Sequence, residues 1–493
     1  MSPSFDAIIV GAGVVGSSLG ATLGRQGRKI LLIERDWAEP DRIVGELLQP
    51  GGVKSLEKLG LRDCLDGIDA IPAVGYTIIF EGAPLAIPYA ENPEKPGTSL
   101  EGRSFHHGRF ISKLRDAAKS TPNVTCLEST VNELIADQET GQVVGIRCTS
   151  KNSDVSEFFY APVTIVADGT FSKFRKDYIP KKVQIRSHFV GLVLKNADIP
   201  SPHHGHVILG GNHFPILVYQ IGTDETRMLI DIQGKLPSAG NGDLKEYLRA
   251  TVTENVPKSL LPSFQRAIEE DRLRSMPNSY LPPSANEFEG VLFLGDSYNM
   301  RHPLTGGGMT VAFNDVVLVS ELLSPASVPD LNDSGLVAAK LNEFYWKRKS
   351  LSTVINVLAQ ALYAIFAAND SQLRLLQQGC FQYLSRGGYH MLEPVGLLSG
   401  LIPFPLVLVN HFYQVAFYTI FIMFRDAPSV FMYPFIFLRA LSVLWKASIV
   451  VLPVIFSELM FCRLLINHLV LITNLESYFP IVALSRLCCL LFY

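Results

Sequence analysis

The sequence predicts an α/β protein: a helix-covered sheet, an inserted mixed or antiparallel β-sheet, and an apolar helical region toward the C-terminal end. Three observations predict it. A short apolar strand, a glycine-rich turn and an apolar helix follow one another in residues 5–34, FDAIIVGAGVVGSSLGATLGRQGRKILLIE. Residues 185–285 alternate apolar and polar side chains in runs such as HFVGLVLKNA and RMLIDIQG, the period of a half-buried strand. Beyond residue 350 charge thins, and residues 394–424 contain no Asp, Glu, Lys or Arg.

In the first of these segments the strand Ile8–Val10 runs into Gly11-x-Gly13-x-x-Gly16, then a helix, then a second strand, Ile30–Ile33, ending in Glu34. Gly11 permits a tight turn, Gly13 lets a pyrophosphate approach bare backbone, and Gly16 lets the helix lie close on the strand; Glu34 accepts from ribose hydroxyls. This context makes the segment a Rossmann-like dinucleotide-binding unit. An acid at position 34 argues against a 2′-phosphate, and so against NADP here, leaving FAD or NAD.

Two later segments share the strand–loop pattern. Residues 163–175, VTIVADGTFSKFR, place Asp168-Gly169, Ser172 and Arg175 after an apolar strand. Residues 291–310, VLFLGDSYNMRHPLTGGGMT, end a strand at Gly295-Asp296 and continue through Arg301-His302-Pro303 to Gly306-Gly307-Gly308 at a helix start. A carboxylate at a strand end can hold a ribose or ribityl hydroxyl. A glycine-rich helix start offers free N–H groups and a positive dipole end.

Composition narrows the class. The net charge of −3 gives no reason to expect nucleic acid. Seven cysteines, at 64, 126, 148, 380, 462, 488 and 489, include no CxxC pair, which fits a reducing compartment without a disulfide frame. Cys488-Cys489 is expected as core or lipid-facing thiols ahead of an acylation site. The triplets at Asn123, Asn332 and Asn369 are expected to go unglycosylated. No signal peptide or N-terminal anchor is expected, because the glycine motif begins almost at Met1.

Taken together, GxGxxG, DGxxSxxR and the later GD resemble the single-component flavin monooxygenases, in which all three line one FAD. Within that group the chain resembles the squalene epoxidases over nearly its whole length, in DRIVGELLQPGG (41–52), RSFHHGRF (103–110), ADGTFSKFRK (167–176), LRSMPNSYLPP (273–283) and GDSYNMRHPLTGGGMTVAFND (295–315). The resemblance implies FAD-dependent epoxidation of squalene to (S)-2,3-oxidosqualene in sterol biosynthesis, with O₂ as oxidant and a flavin C4a-hydroperoxide as oxygen donor. No second GxGxxG or basic dinucleotide motif is present, so electrons are expected from NADPH through an NADPH–cytochrome reductase. No metal is implied, and His106-His107, lacking carboxylates at ligand spacing, is expected to be structural. An isoprenoid reductase on the same flavin fold, or a non-catalytic membrane flavoprotein, is the alternative; dependence on O₂ and turnover separate them.

The site follows residue by residue. Gly11, Gly13, Val14, Val15 and Gly16 are expected at the pyrophosphate turn, Glu34 with Arg35 at the adenosine ribose, and Val131 beside the cofactor. By resemblance, Arg42 and Arg109 contact the phosphate and ribityl region. Asp296 binds the ribityl or pyrophosphate portion, and Gly306, Gly307, Gly308 and Met309 lie under the flavin ring. Asp168 and Arg175 either line the cofactor or brace a domain junction. Tyr76, held by Gln49, is expected as an orienting or polarising group near the flavin. Leu304, Phe366, Phe381 and His411 are expected in the substrate tunnel, although His411 reads equally well as a satisfied core histidine.

These assignments predict an FAD-binding domain from residues 1–70, 101–184 and 286–350, a substrate domain from 71–100 and 185–285, and a C-terminal helical membrane-attachment region, 351–493. In the last, single charges recur at Arg439, Lys446, Glu458, Arg463, Glu476 and Arg486. A charge at the bilayer centre costs about 2.5–3.5 kcal/mol on insertion scales. Helices lying in the membrane, with charges snorkelling outward, are therefore expected ahead of repeated spans. The expected location is the cytosolic face of the endoplasmic reticulum membrane, with lipid droplets as a second site.

Overall fold

The computed structural model describes residues 5–151, 155–210, 215–270 and 273–459. Cys462, Arg463, Glu476, Arg486 and Cys488-Cys489 lie outside the described residues.

Among these residues the first sheet runs, in spatial order, Ser156–Tyr160, Val143–Ser150, Val124–Ala136, Ile30–Glu34, Ala7–Val10, Val163–Val166 and Val291–Phe293. The last five are parallel. Ala7–Val10 and Val163–Val166 are buried along their whole length, as expected of strands covered on both faces. The carboxyl ends of the strands carrying Gly11, Glu34, Asp168 and Asp296 therefore open on one edge of the sheet.

The helix Val14–Arg25 contains Gly16, Gly20 and Gly24, poor helix formers spaced four apart on one face. Close approach explains them. A Cβ on Gly16 would sit 1.8 Å from the Gly11 carbonyl oxygen, and one on Gly24 would sit 2.4 Å from Val124 Cγ2.

The second sheet runs Arg274–Tyr280, Gln184–Lys195, Glu225–Ile232, Ile216–Gln220, His204–Leu209, Gly75–Phe80 and Ala83–Pro88. It is antiparallel except that His204–Leu209 and Gly75–Phe80 are parallel. The mixed sheet thus joins residues near 80 to residues near 200, and puts Tyr76 opposite Gly205. Leu47–Leu48, Gly102–Ser104 and Ile71–Ala73 form a small third sheet, its strands falling between Ile30–Glu34 and Val124–Ala136 of the first sheet in sequence.

A buried ion pair ties the glycine-motif unit to the second sheet: Arg227 donates to both Glu46 oxygens, at 2.7 and 2.8 Å. A second cluster does the same farther along. Asp231 accepts from Tyr363 at 2.9 Å and from Asn278 at 3.0 Å, and His302 stacks on Tyr363 at 3.8 Å between ring centres. His302 Nδ1 accepts from the Leu304 N–H at 3.2 Å, so Nε2 carries the proton, facing Ser187 Oγ at 3.1 Å. This Ser–His–Asp set is a brace for the 302–304 loop rather than a nucleophile, since the serine hydroxyl is spent on Asp231.

Among the described residues three helices are long and apolar enough to cross a membrane: Lys349–Ala367, Pro405–Arg425 and Val430–Glu458. The first is 83% buried within the protein, the others 33% and 28%. Their free surface is strongly apolar: Leu406, Phe417, Phe421, Phe431, Phe435, Leu438 and Trp445 are exposed. One of the charges expected to snorkel, Glu458, turns inward instead, and Lys446, a third exposed, finds a partner at the bundle edge. Lys446 pairs with Asp370 at 2.7 Å, and Glu458, 1% exposed, accepts from Asn356 at 2.8 Å and pairs with Lys349. For Glu458, neutralisation inside the helix bundle takes the place of snorkelling.

Candidate functional site

A cavity of about 860 Å³ opens at the carboxyl ends of the parallel strands and continues along the second sheet. That volume is within the usual range for cofactor sites. At one end Gly11, Gly13, Val14, Val15, Glu34, Arg35, Arg42 and Val131 line it. Asp168, Asp296, Leu304, Gly306, Gly308, Met309 and Tyr76 also line it, with Val207, Leu217 and Leu229 of the second sheet forming an apolar wall.

The glycines of the turn divide their work. Gly11 has φ +98° and packs on the next strand, where a Cβ would meet the Ala167 carbonyl oxygen at 2.6 Å. At Gly13 a Cβ would meet nothing within 4 Å, so this backbone faces open cavity. Glu34 accepts from the Ala12 N–H at 2.7 Å, which fixes its carboxylate beside the turn. Asp168 Oδ1 is buried with no hydrogen-bond partner in the chain, and burial raises its pKa. Asp296 accepts from Thr170 at 2.9 Å, while Arg175 donates to the Gly169, Thr170 and Ser297 carbonyls. Arg175 thus braces the two strand-end loops, and Asp168 faces the cavity.

The triplet is not uniform either. A Cβ on Gly307 would lie 2.6 Å from Ile355 Cγ2, so Gly307 faces the helix Lys349–Ala367. Gly308, with nothing within 4 Å of a notional Cβ, opens the helix Gly308–Leu322 onto the cavity. Open backbone at Gly13 and Gly308, the unpaired Asp168 oxygen and Glu34 at a strand end fit a flavin dinucleotide.

Gly16, Arg109, Gly307, Gln49, Phe366, Phe381 and His411 do not line the cavity. Arg109, in the first turn of the helix His107–Lys119, faces Asp69 at 3.9 Å. Arg115 of the same helix lines the cavity instead, donating to the Ala12 carbonyl at 2.9 Å with Glu34 at 3.7 Å. Nothing in the motif spacing distinguished the two arginines. Phe366 and Leu304 belong to the apolar cluster that holds Tyr76, and Phe381 packs on Phe80 at 5.1 Å between ring centres. His411 bonds Tyr383 at 2.8 Å and Glu393 at 2.9 Å, a satisfied interhelical histidine.

The expected Tyr76–Gln49 pair has a third member. Gln49 Oε1 accepts from Tyr89, and the buried Tyr76 hydroxyl lies beside both Tyr89 and Gln49, with no well-formed hydrogen bond to either. Sequence reasoning missed Tyr89; its signal is its place two residues after Ile87, the residue opposite Tyr76. His106 pairs with Glu225 at 2.7 Å and His107 Nδ1 with the Gly45 carbonyl at 2.8 Å. Among the described residues no group of three or more His, Cys, Asp or Glu is placed to hold a metal.

Comparison with known proteins places this geometry. The structure resembles a flavin-dependent brominase, Bmp2, with TM-score 0.64 at 16% identity over 84% of this chain and 99% of the other. It also resembles pqsL, a probable FAD-dependent monooxygenase from Pseudomonas aeruginosa, with TM-score 0.61 at 19% identity over 74% and 97%. At that identity the likeness concerns the fold. In sequence, the chain is 49% identical over 455 residues to squalene epoxidase erg1 of Aspergillus fumigatus, covering 92% of this chain and 93% of the relative. It is 45% identical over 457 residues to squalene monooxygenase of Mus musculus, covering 92% and 78%. The family model for squalene epoxidase matches residues 160–437, which include five strands of the second sheet, the glycine triplet and the first two apolar helices. By both measures the chain belongs to the squalene epoxidase family.

Proposed function

We propose that this protein is a membrane-attached squalene monooxygenase, which uses FAD and O₂ to convert squalene to (S)-2,3-oxidosqualene in sterol biosynthesis. One observation carries the reading. The open glycine backbone, the strand-end carboxylates and an apolar wall share a single cavity, so a flavin and an alkene would meet in it without bulk water.

Bound FAD supplies the redox chemistry and the activation of O₂. The chain's residues bind, orient and exclude water. Gly11–Gly13 and Arg42 receive the phosphates, Glu34 the adenosine ribose, Asp296 the ribityl chain, and Gly308–Met309 the ring. Val207, Leu217, Leu229 and Leu304 present an apolar face to the hydrocarbon. Tyr76 borders the cavity on the substrate-sheet side, with its hydroxyl beside Tyr89 and Gln49, and orients the flavin or the substrate. Phe366 and Phe381 continue the apolar cluster from Leu304 toward the C-terminal helices, the direction from which a lipid-soluble substrate enters. The domain division drawn from sequence, with FAD and substrate parts meeting at this cavity, belongs to the same proposal.

The exposed apolar helices attach the protein to the cytosolic face of the endoplasmic reticulum, or to lipid droplets. The electron donor is an NADPH–cytochrome reductase. The test is turnover by detergent-solubilised protein with FAD, NADPH, reductase and squalene, with and without O₂. Epoxide formed only with O₂ supports the proposal. A saturated product without O₂ identifies an isoprenoid reductase, and a bound flavin without turnover a non-catalytic flavoprotein.

A further inference from the structure

Asp231 is a buried carboxylate on which three elements converge. It is 2% exposed. Ser187 Oγ, Asn278 Nδ2 at 3.0 Å and the Tyr363 hydroxyl at 2.9 Å all donate to it. These donors come from the strands Gln184–Lys195 and Arg274–Tyr280 of the second sheet and from the helix Lys349–Ala367. Ser187 Oγ also accepts from Asn278 at 2.9 Å and faces His302 Nε2 at 3.1 Å. A carboxylate in the interior is costly unless donors converge on it. Here the donors are neutral. His302 lies 3.6 Å away, and burial lowers its pKa, so the ring carries no charge at pH 7.

His302 carries this fixed point to the cavity. Its ring is stacked on Tyr363 at 3.8 Å and meets Phe189 edge-on at 5.5 Å, both between ring centres. Its Nδ1 accepts from the Leu304 N–H at 3.2 Å, closing a turn two residues on. Leu304 lines the cavity, whereas Ser187, Asp231, His302 and Tyr363 do not. The network therefore reaches a ligand only through the loop. The far end of that loop is tied separately, by Gln49 Nε2 donating to the Thr305 carbonyl at 2.9 Å.

Building on the assignment of squalene to this cavity, we propose that His302 is a positioning residue: Asp231, Ser187 and Tyr363 fix its ring, and the ring sets where Leu304 stands against the hydrocarbon. An alkene offers no hydrogen-bond handle. The placement of its double bond depends on how rigidly the apolar wall around it is held, and a misplacement of about 1 Å can cost on the order of 100-fold in rate. Leu304 is the part of that wall held from behind by a polar network. The network determines how much of the reducing power ends in epoxide and how much is lost as peroxide.

The experiment compares full-length, detergent-solubilised H302N, L304A and the H302N/L304A pair with the unaltered chain. H302N keeps an oxygen acceptor for the Leu304 N–H, as in an Asx-turn, but is too short to reach Ser187 and cannot stack on Tyr363. Hydrogen exchange of residues 302–306 in FAD-free protein reads the loop itself, and H302N is expected to speed it about tenfold. With FAD, reductase and squalene, H302N is expected to make about tenfold less epoxide per NADPH, with peroxide rising to match and FAD affinity nearly unchanged. L304A should lose epoxide similarly, and the pair should be no worse than L304A alone, because His302 acts through Leu304. A merely structural role would lower the thermal midpoint and leave the epoxide-to-peroxide ratio of the folded protein as it was. If H302N fails to fold, Y363F, which keeps the stacked ring and removes one donor to Asp231, takes its place. Unchanged exchange, an unchanged product ratio, or losses that multiply in the pair overturn the proposal. If the unaltered chain itself makes no epoxide, the functional assignment fails, and this proposal with it.

Discussion

Tyr89 donates its hydroxyl to Gln49 Oε1 at 2.6 Å, and Gln49 Nε2 donates to the Thr305 carbonyl at 2.9 Å. This bridge spans from the second sheet to the loop before the glycine triplet. Tyr76, whose side chain lines the cavity, leans edge-on against Tyr89 with ring centres 5.5 Å apart, and its hydroxyl is buried beside Tyr89 and Gln49. Tyr89 thus has the structural task, while Tyr76 borders the cavity.

Single substitutions separate these roles. Tyr76→Phe deletes an unpaired hydroxyl, so stability and FAD affinity should stay near those of the unaltered chain. Epoxide per NADPH should fall and peroxide release rise, since a misplacement of about 1 Å can cost on the order of 100-fold in rate. Tyr89→Phe breaks a buried hydrogen bond and should cost about 1–3 kcal/mol of stability, seen in thermal unfolding. Wild-type turnover and coupling in Tyr76→Phe would leave its hydroxyl without a catalytic role.

Gly13 and Gly16 should fail in opposite ways. An alanine at 16 drives a Cβ into the Gly11 carbonyl, so Gly16→Ala should destabilise the fold even without cofactor. An alanine at 13 meets no protein atom. Gly13→Ala should therefore fold with stability within about 1 kcal/mol of normal, yet lose most FAD affinity. Normal flavin content in purified Gly13→Ala would place the pyrophosphate elsewhere.

That contrast shows what could be read from the sequence. The strand–glycine–helix unit was legible because buried parallel strands are continuous apolar runs and the turn between strand and helix demands glycine. The mixed sheet was legible as alternation, but not its parallel pair, because Gly75–Phe80 and His204–Leu209 meet only through tertiary packing. Within the site, strand-end residues such as Glu34, Asp168 and Asp296 were legible because position alone aims them. Arg115 was not, because Arg109 and Arg115 share a helix and only its rotation decides which reaches the turn. Tyr89 and the Asp231 cluster depend on contacts 40 or more residues apart, which no local pattern carries.

His206 should make the protein acid-sensitive. It is 1% exposed; Nε2 accepts from the Ser201 N–H at 3.1 Å and Nδ1 faces the Val218 carbonyl at 3.3 Å. Burial lowers its pKa to about 4. In the unfolded chain it titrates near the ordinary value of about 6.5. The unfolded state therefore binds the extra proton between these values. The stabilisation is complete above about pH 6.5 and declines as pH falls toward 4, by on the order of 2–3 kcal/mol. Denaturant unfolding of FAD-free protein across that range should show the decline, and His206→Gln should flatten it. An equal slope in both would assign the acid sensitivity to other groups.

The apolar face of the last described helix should carry membrane attachment. Phe431 and Trp445 are 86% and 65% exposed, on a helix whose neighbours in the bundle do not cover them. Burying each such side chain in lipid is worth roughly 1.5–3 kcal/mol. The Phe431→Glu, Trp445→Glu double variant should move into the soluble fraction in vesicle flotation while keeping its flavin. Unaltered flotation would mean that this face is not the one in the membrane.

The central claim is that the cavity delivers one oxygen atom from O₂ to squalene on a bound flavin. The direct measurement is isotopic: turnover of squalene under ¹⁸O₂ by the purified, FAD-loaded chain with NADPH and the reductase, and mass analysis of the product. The account predicts 2,3-oxidosqualene carrying a single ¹⁸O, with the other atom released as water. An unlabelled oxygenated product, a saturated hydrocarbon, or label incorporated at the same rate by Asp296→Ala stripped of FAD would contradict it.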